Sequence, residues 1–102
     1  MGEFVEVCKV SEVPSGGGRV VDVGGEPVAL FNTQGTFRAI HNTCPHRGGP
    51  LGEGELADNT VICPLHGWEF DVTSGKCVSM PGANVKCYQV KVEDERVLVA
   101  VP

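Results

Sequence analysis

The sequence has no long hydrophobic run. Its unbroken apolar stretches are a few residues, such as "VLVAV" from Val97 to Val101, far short of the roughly 20 that a helix needs to cross a bilayer. No membrane segment is therefore expected. The opening "MGEFVEV" has neither a basic start nor an apolar stretch ending in small residues, so a secretory leader is not expected. Glu6 also stands where N-myristoylation requires Ser or Thr. Basic residues are scarce: 8 Lys and Arg face 13 Asp and Glu, a formal charge of −5. That balance argues against nucleic acid as a ligand and leaves room for a basic partner. Internal repeats, linkers and long helical periodicities are missing too. "PSGGG" at Pro14 to Gly18 is not followed by a helix carrying Lys and Ser or Thr, which leaves a plain flexible loop and not a phosphate cradle.

What is present is punctuation. With 14 Gly and 7 Pro in 102 residues, the chain is cut into short pieces of the kind that build one small all-β domain. Strands are expected over Phe4 to Lys9, Arg19 to Val23, Val28 to Asn32, Thr36 to Asn42, Thr60 to Cys63, Trp68 to Asp71, Val85 to Val92 and Arg96 to Val101. "GGEP", "TQG", "TSGK" and "EDE" separate them as hairpin turns of antiparallel sheets. Val20, Val28 and Leu30, opposed by Phe37, Ala39 or Ile40, are the expected core of a sandwich or barrel, with Tyr88, Val90 and Val92 as an alternating face.

The five cysteines are Cys8, Cys44, Cys63, Cys77 and Cys87. An odd number without a leader favours thiols or metal ligands over a disulfide framework, and a reducing cytoplasm as the location. Two of them stand beside histidines, Cys44 with His46 in "NTCPHRGGP" and Cys63 with His66 in "VICPLHGWEF". Each pair follows an expected strand, so two loops at strand ends can close on one another as a clamp. Thiolate and imidazole together leave zinc and iron open. A single zinc ion bound by two Cys and two His usually takes like ligands from one segment, whereas each loop here mixes them. Mixed loops suit a two-iron cluster, each Cys reaching one iron and each His the other.

"CPHRGG" at Cys44 to Gly49 and "CPLHGW" at Cys63 to Trp68 resemble the two cluster-binding boxes of the Rieske family. The resemblance implies a small antiparallel Rieske fold, a β-sandwich or barrel core with a cluster-binding subdomain at about 42–82 inside a single domain, 1–102. It implies one [2Fe–2S] cluster per chain, with Cys44 and Cys63 on an inner iron that stays ferric and His46 and His66 on an outer iron near solvent. A third, proline-containing loop covers the cluster in the family, and "SMPGAN" at Ser79 to Asn84 fits that place. Gly48, Gly49, Gly52, Gly54 and Gly67 let backbone amides approach the sulfurs. Pro45 and Pro64 stiffen both loops. His41 matches no ligand position and reads as structural. Cys8, Cys77 and Cys87 read as buried structural thiols.

High-potential members of the family carry a disulfide between the ligand loops, at positions held here by Gly49 and Leu65. They also place Ser and Tyr hydroxyls where this chain has Trp68 and Phe70. Lost donors predict a potential near the bottom of the Rieske range of about −150 to +300 mV. The chain thus resembles the ferredoxin component of bacterial aromatic-ring dioxygenase systems, used in aromatic hydrocarbon catabolism. The resemblance implies a monomeric, non-enzymatic electron carrier between a flavoprotein reductase and a terminal oxygenase. A small subunit of an assimilatory nitrite reductase is the alternative. The imidazole edges of His46 and His66 form the expected electron port, with Arg47, Leu65 and Trp68 as possible neighbours of the docking face. Trp68 itself is read as core packing. Glu53, Glu55 and Asp58 read as a solvated loop.

Overall fold

A computed structural model describes residues 3–45, 48–65 and 67–101. Ten strands form three antiparallel sheets among them. The first contains β1 (Phe4–Lys9), β9 (Val90–Glu93) and β10 (Arg96–Ala100), in the order β1-β10-β9. The second contains β2 (Gly18–Val23), β3 (Glu26–Thr33), β4 (Thr36–His41) and β8 (Cys87–Tyr88), in that order. The third contains β5 (Glu55–Ala57), β6 (Thr60–Ile62) and β7 (Glu69–Asp71). The all-β expectation holds, and most strand boundaries fall within two residues of those read from the sequence.

Left-handed turns set the registers. Gly24 and Gly25 (φ 59° and 88°) join β2 to β3, and Gln34 and Gly35 (φ 56° and 95°) join β3 to β4. Two consecutive positive φ values match the right-handed twist of the flanking strands, which is why such two-residue links close tight hairpins. Asp94 and Glu95 adopt the same conformation between β9 and β10 (φ 51° and 64°) without a glycine.

β3 is the middle of the molecule and is buried on both faces. Val28 and Leu30 pack with Val21, Val23, Tyr88, Val97 and Val99 toward the first sheet. Ala29 and Phe31 pack with Leu51, Val61, Phe70 and the thiols of Cys44, Cys63 and Cys77 toward the third. A strand covered on both sides reads as a continuous apolar run, as "VALF" does. The expected core residues Val28, Leu30, Phe37, Ala39 and Ile40 are all buried.

Four expectations need correction. Val85 to Val92 is not one strand: β8 pairs with β4 in the second sheet, β9 pairs with β10 in the first, and Gln89 sits at the crossing, its carbonyl accepting from the Ala100 N–H. The segment changes sheets because Tyr88 turns into the core between them, its hydroxyl donating to Glu26 at 2.6 Å. Val92 and Val20 are exposed, 47% and 39%, each on an edge strand of its sheet. Cys87 is exposed, while Cys8 and Cys77 are buried as expected. "PSGGG" is pinned to β3: the Gly16 N–H donates to the Asn32 carbonyl, the Asn32 N–H to the Gly17 carbonyl, and Asn32 Nδ2 to the Val13 carbonyl.

His41 is structural as read. Its Nδ1 lies 3.4 Å from the Tyr88 hydroxyl, and because that hydroxyl donates to Glu26, the donor role in this contact falls to the imidazole. The hydrogen bond from Tyr88 holds the Glu26 carboxyl below the usual carboxylate range.

Candidate metal centre

Both cysteine boxes are hairpins of one design. In the first, the Leu51 N–H donates to the Asn42 carbonyl, Thr43 faces Pro50, and the Cys44 N–H donates to the Gly49 carbonyl at 2.9 Å. In the second, Val61 faces Phe70, Ile62 faces Glu69, and the Cys63 N–H donates to the Trp68 carbonyl at 2.7 Å. Each cysteine thus occupies the last rung before a loop, residues 45–48 in one and 64–67 in the other. Each loop closes the same way. The Gly48 N–H donates to the Cys44 carbonyl, and the Gly67 N–H to the Cys63 carbonyl. Both glycines are left-handed, with φ 73° and 78°, a conformation costly for other residues at a loop end.

The first hairpin is anchored at its base by Asn42. Its buried side-chain Oδ1 accepts from the Gly52 N–H at 2.7 Å, and its own N–H donates to the Pro27 carbonyl. The second is an extension of β6 and β7. Their meeting point is tight: a Cβ at Gly49 would lie 2.7 Å from Cys63 Sγ and 3.1 Å from Leu65 Cγ. Gly49 is the cross-strand partner of Cys44, so the absence of its side chain is what lets the Cys63 thiol approach the Cys44 hairpin. The same Cβ would lie 3.4 Å from Leu65 Cδ1, so positions 49 and 65 face each other across the two loops.

Cys44 and Cys63 are 1% and 2% exposed and belong to one apolar cluster. His46, His66 and Arg47 lie outside the described residues. Sequence numbering alone places His46 second in its loop and His66 third. Among the described residues no group of three or more His, Cys, Asp and Glu side chains forms a metal site. Trp68 packs partly buried against the same cluster, in line with the core role read for it. The segment "SMPGAN" reaches this end of the molecule. The Glu69 N–H donates to Ser79 Oγ, the Val78 N–H to the Glu69 carbonyl, and Ala83 packs on the cluster that holds the two thiols.

Two buried soft donors, presented by congruent hairpins and given room by a glycine, fit a thiolate-bound iron–sulfur cluster. The class is an all-β iron–sulfur electron carrier. Residues 3–89 match the family model described as "Rieske [2Fe-2S] domain". The chain belongs to that family, and its cofactor is a Rieske-type [2Fe–2S] cluster.

The chain is 37% identical over 98 residues to the ferredoxin component of an alkene monooxygenase system from Xanthobacter autotrophicus, covering 95% of this chain and 80% of that protein. It is 39% identical over 97 residues to the ferredoxin subunit of 3-phenylpropionate/cinnamic acid dioxygenase from Photorhabdus laumondii, covering 93% and 91%. A solved complex of reduced oxygenase and oxidized ferredoxin in carbazole 1,9a-dioxygenase contains a chain that superimposes with a TM-score of 0.87 at 33% identity, covering 95% of this chain and 92% of that one. A structure described as a putative small subunit of NADPH nitrite reductase also superimposes, with a TM-score of 0.87 at 25% identity, covering 97% and 99%. The relatives matched over most of their length at the higher identities are named as ferredoxin components, and this chain is likewise a Rieske electron carrier, not a catalyst.

Proposed function

We propose that Cys44 and Cys63 bind the inner iron and His46 and His66 the outer iron, and that the chain shuttles single electrons from a flavoprotein reductase to a terminal oxygenase. The observation that carries this is the pair of congruent hairpins, each ending on a buried thiol with a histidine in its loop. The bound cluster supplies the one-electron change. The chain's own part is to bury the two sulfurs, aim the loop amides and present a docking face.

That face is apolar at its tips. Of the five large hydrophobic residues exposed among the described ones, Leu65, Val78 and Met80 sit on the second ligand loop and the proline-containing segment beside it. Exposed apolar groups gathered at one end suit a partner contact. Residues 1–102 act as one domain with the cluster-binding region at about 42–82. The proposed carrier is cytoplasmic and monomeric. Among the described residues no helix is long and apolar enough to cross a membrane.

The test is EPR spectroscopy of the purified protein before and after dithionite, followed by single-turnover mixing with a flavoprotein reductase and a Rieske oxygenase. A Rieske-type reduced signal and reoxidation by the oxygenase are expected. A colourless, EPR-silent protein rules out the cluster, and stable copurification with a large sirohaem enzyme points to the nitrite reductase instead.

The low potential has its own test. Phe70 is fully buried in the cluster that holds both thiols, and Trp68 packs at its border. A hydroxyl at either place can stabilise the more negative reduced form, so Trp68→Ser with Phe70→Tyr is expected to move the potential upward in protein-film voltammetry. An unchanged or lower potential contradicts the missing-donor account.

A further inference from the structure

Cys77 is the buried thiol on the ligand side of the molecule that the proposed ligand set leaves unused. It pairs across with Phe70 by an isolated bridge, placing it beside the strand that ends the second ligand hairpin, and it shares an apolar cluster with Cys44 and Cys63. The segment that follows has little of its own to hold it down. Val78 and Met80 are 59% and 48% exposed, and Pro81 and Gly82 are exposed as well. Its position is set by polar ties instead. The Met80 N–H donates to Cys77 Sγ at 3.3 Å, and the Cys77 N–H donates to Asn84 Oδ1 at 3.0 Å. Two further bonds tie it to Glu69, next to the Trp68 whose carbonyl accepts from Cys63.

We propose that Cys77 and Asn84 are positioning residues that staple the proline-containing loop against the ligand hairpins and thereby keep the reduction potential low. Cys77 turns the loop back at its start through Sγ. Asn84 closes it at its end by reaching back to the Cys77 amide. The inference rests on the ligand assignment made above.

The sign follows from charge. Two ferric ions, two sulfides, two thiolates and two neutral imidazoles sum to zero, and one added electron makes the assembly negative. A loop lying close keeps water away and disfavours the charged, reduced form, since burial in a medium of low dielectric penalises net charge. A loop that lifts admits water, favours the reduced form and raises the potential.

The experiment compares wild type, Cys77→Ala, Cys77→Ser and Asn84→Ala as cluster-loaded proteins, by EPR, protein-film voltammetry and amide hydrogen exchange. Cys77→Ala and Asn84→Ala are expected to keep the Rieske EPR signature, to shift the potential upward and to speed exchange at Met80 and Ala83 by about tenfold, the scale of a local opening. Cys77→Ser keeps an acceptor atom and is expected between wild type and Cys77→Ala. Unchanged potential and unchanged exchange in folded Cys77→Ala overturn the staple. If that variant does not fold, Asn84→Ala, a change at an exposed side chain, decides on the same two readouts. Absence of a Rieske signal in the wild type itself defeats the ligand assignment instead, so the two failures are distinguishable.

Discussion

Gly49→Ala is expected to yield protein with little or no cluster. The added Cβ would stand 2.7 Å from Cys63 Sγ and 3.1 Å from Leu65 Cγ, well inside van der Waals contact with a sulfur proposed to ligate the cluster. Overpacking of this kind ordinarily costs about 1–3 kcal/mol, and here the atom that must move is the proposed donor to the cluster. Relief has no easy direction. The Gly49 carbonyl is held by the Cys44 N–H, and the Cys63 backbone is held by Trp68 and Gly67. The readout is iron and acid-labile sulfide per chain, with the visible absorption of the purified protein. Gly25→Ala is the control: it meets the strain of a left-handed φ of +88° in open space, at about 1–2 kcal/mol, and should keep full cluster content. A Gly49→Ala protein with full occupancy and an unshifted potential refutes the cradle.

The sequence marks Gly49 only by its place in a box. Its physical role depends on what lies across the clamp, and spacing along one chain carries no information about that. The four proposed ligands were legible because their chemistry is written in residue type and interval: Cys and His recur within a few residues, at two places, each after a strand. The congruence of the loops was half legible. Gly48 and Gly67 stand four residues after their cysteines, a coincidence visible in sequence, but the bond each makes to the cysteine carbonyl emerges only from the hairpins.

Where the reading failed, tertiary context overrode local pattern. Nothing between Val85 and Val92 signals that pairing moves from β4 to β10 at Gln89, because both halves have the same alternation and only the burial of Tyr88 distinguishes them. β5, "ELA", carries no β-branched residue and is a strand because β6 pairs with it. Cys77 could not be told from Cys8 or Cys87 by composition. What separates them is that one lies behind the ligand hairpins, one in the opposite core and one at the surface.

That division into two cores leads to the second large effect. Removal of the cluster by anaerobic chelation is expected to loosen one half of the molecule and spare the other. The core on the ligand side counts Cys44, Cys63 and Cys77 among its members, together with Val61 and Phe70 of the third sheet. The core between the first and second sheets contains none of the proposed ligands and is closed by Val97, Val99 and Tyr88 against β3. The third sheet is made of strands three residues long, too short to persist without what they cover. On the proposed ligation, removing the iron takes away the link between the two hairpins through Cys44 and Cys63. Amides of β5, β6 and β7 should then exchange faster by about 100-fold or more, while β1 and β10 keep most of their protection, the behaviour of separate cooperative units. Exchange measured residue by residue on holo and apo protein decides it. Equal loss in both halves means that β3 couples the two cores into one unit, and no loss in either means that the hairpins stand without the metal.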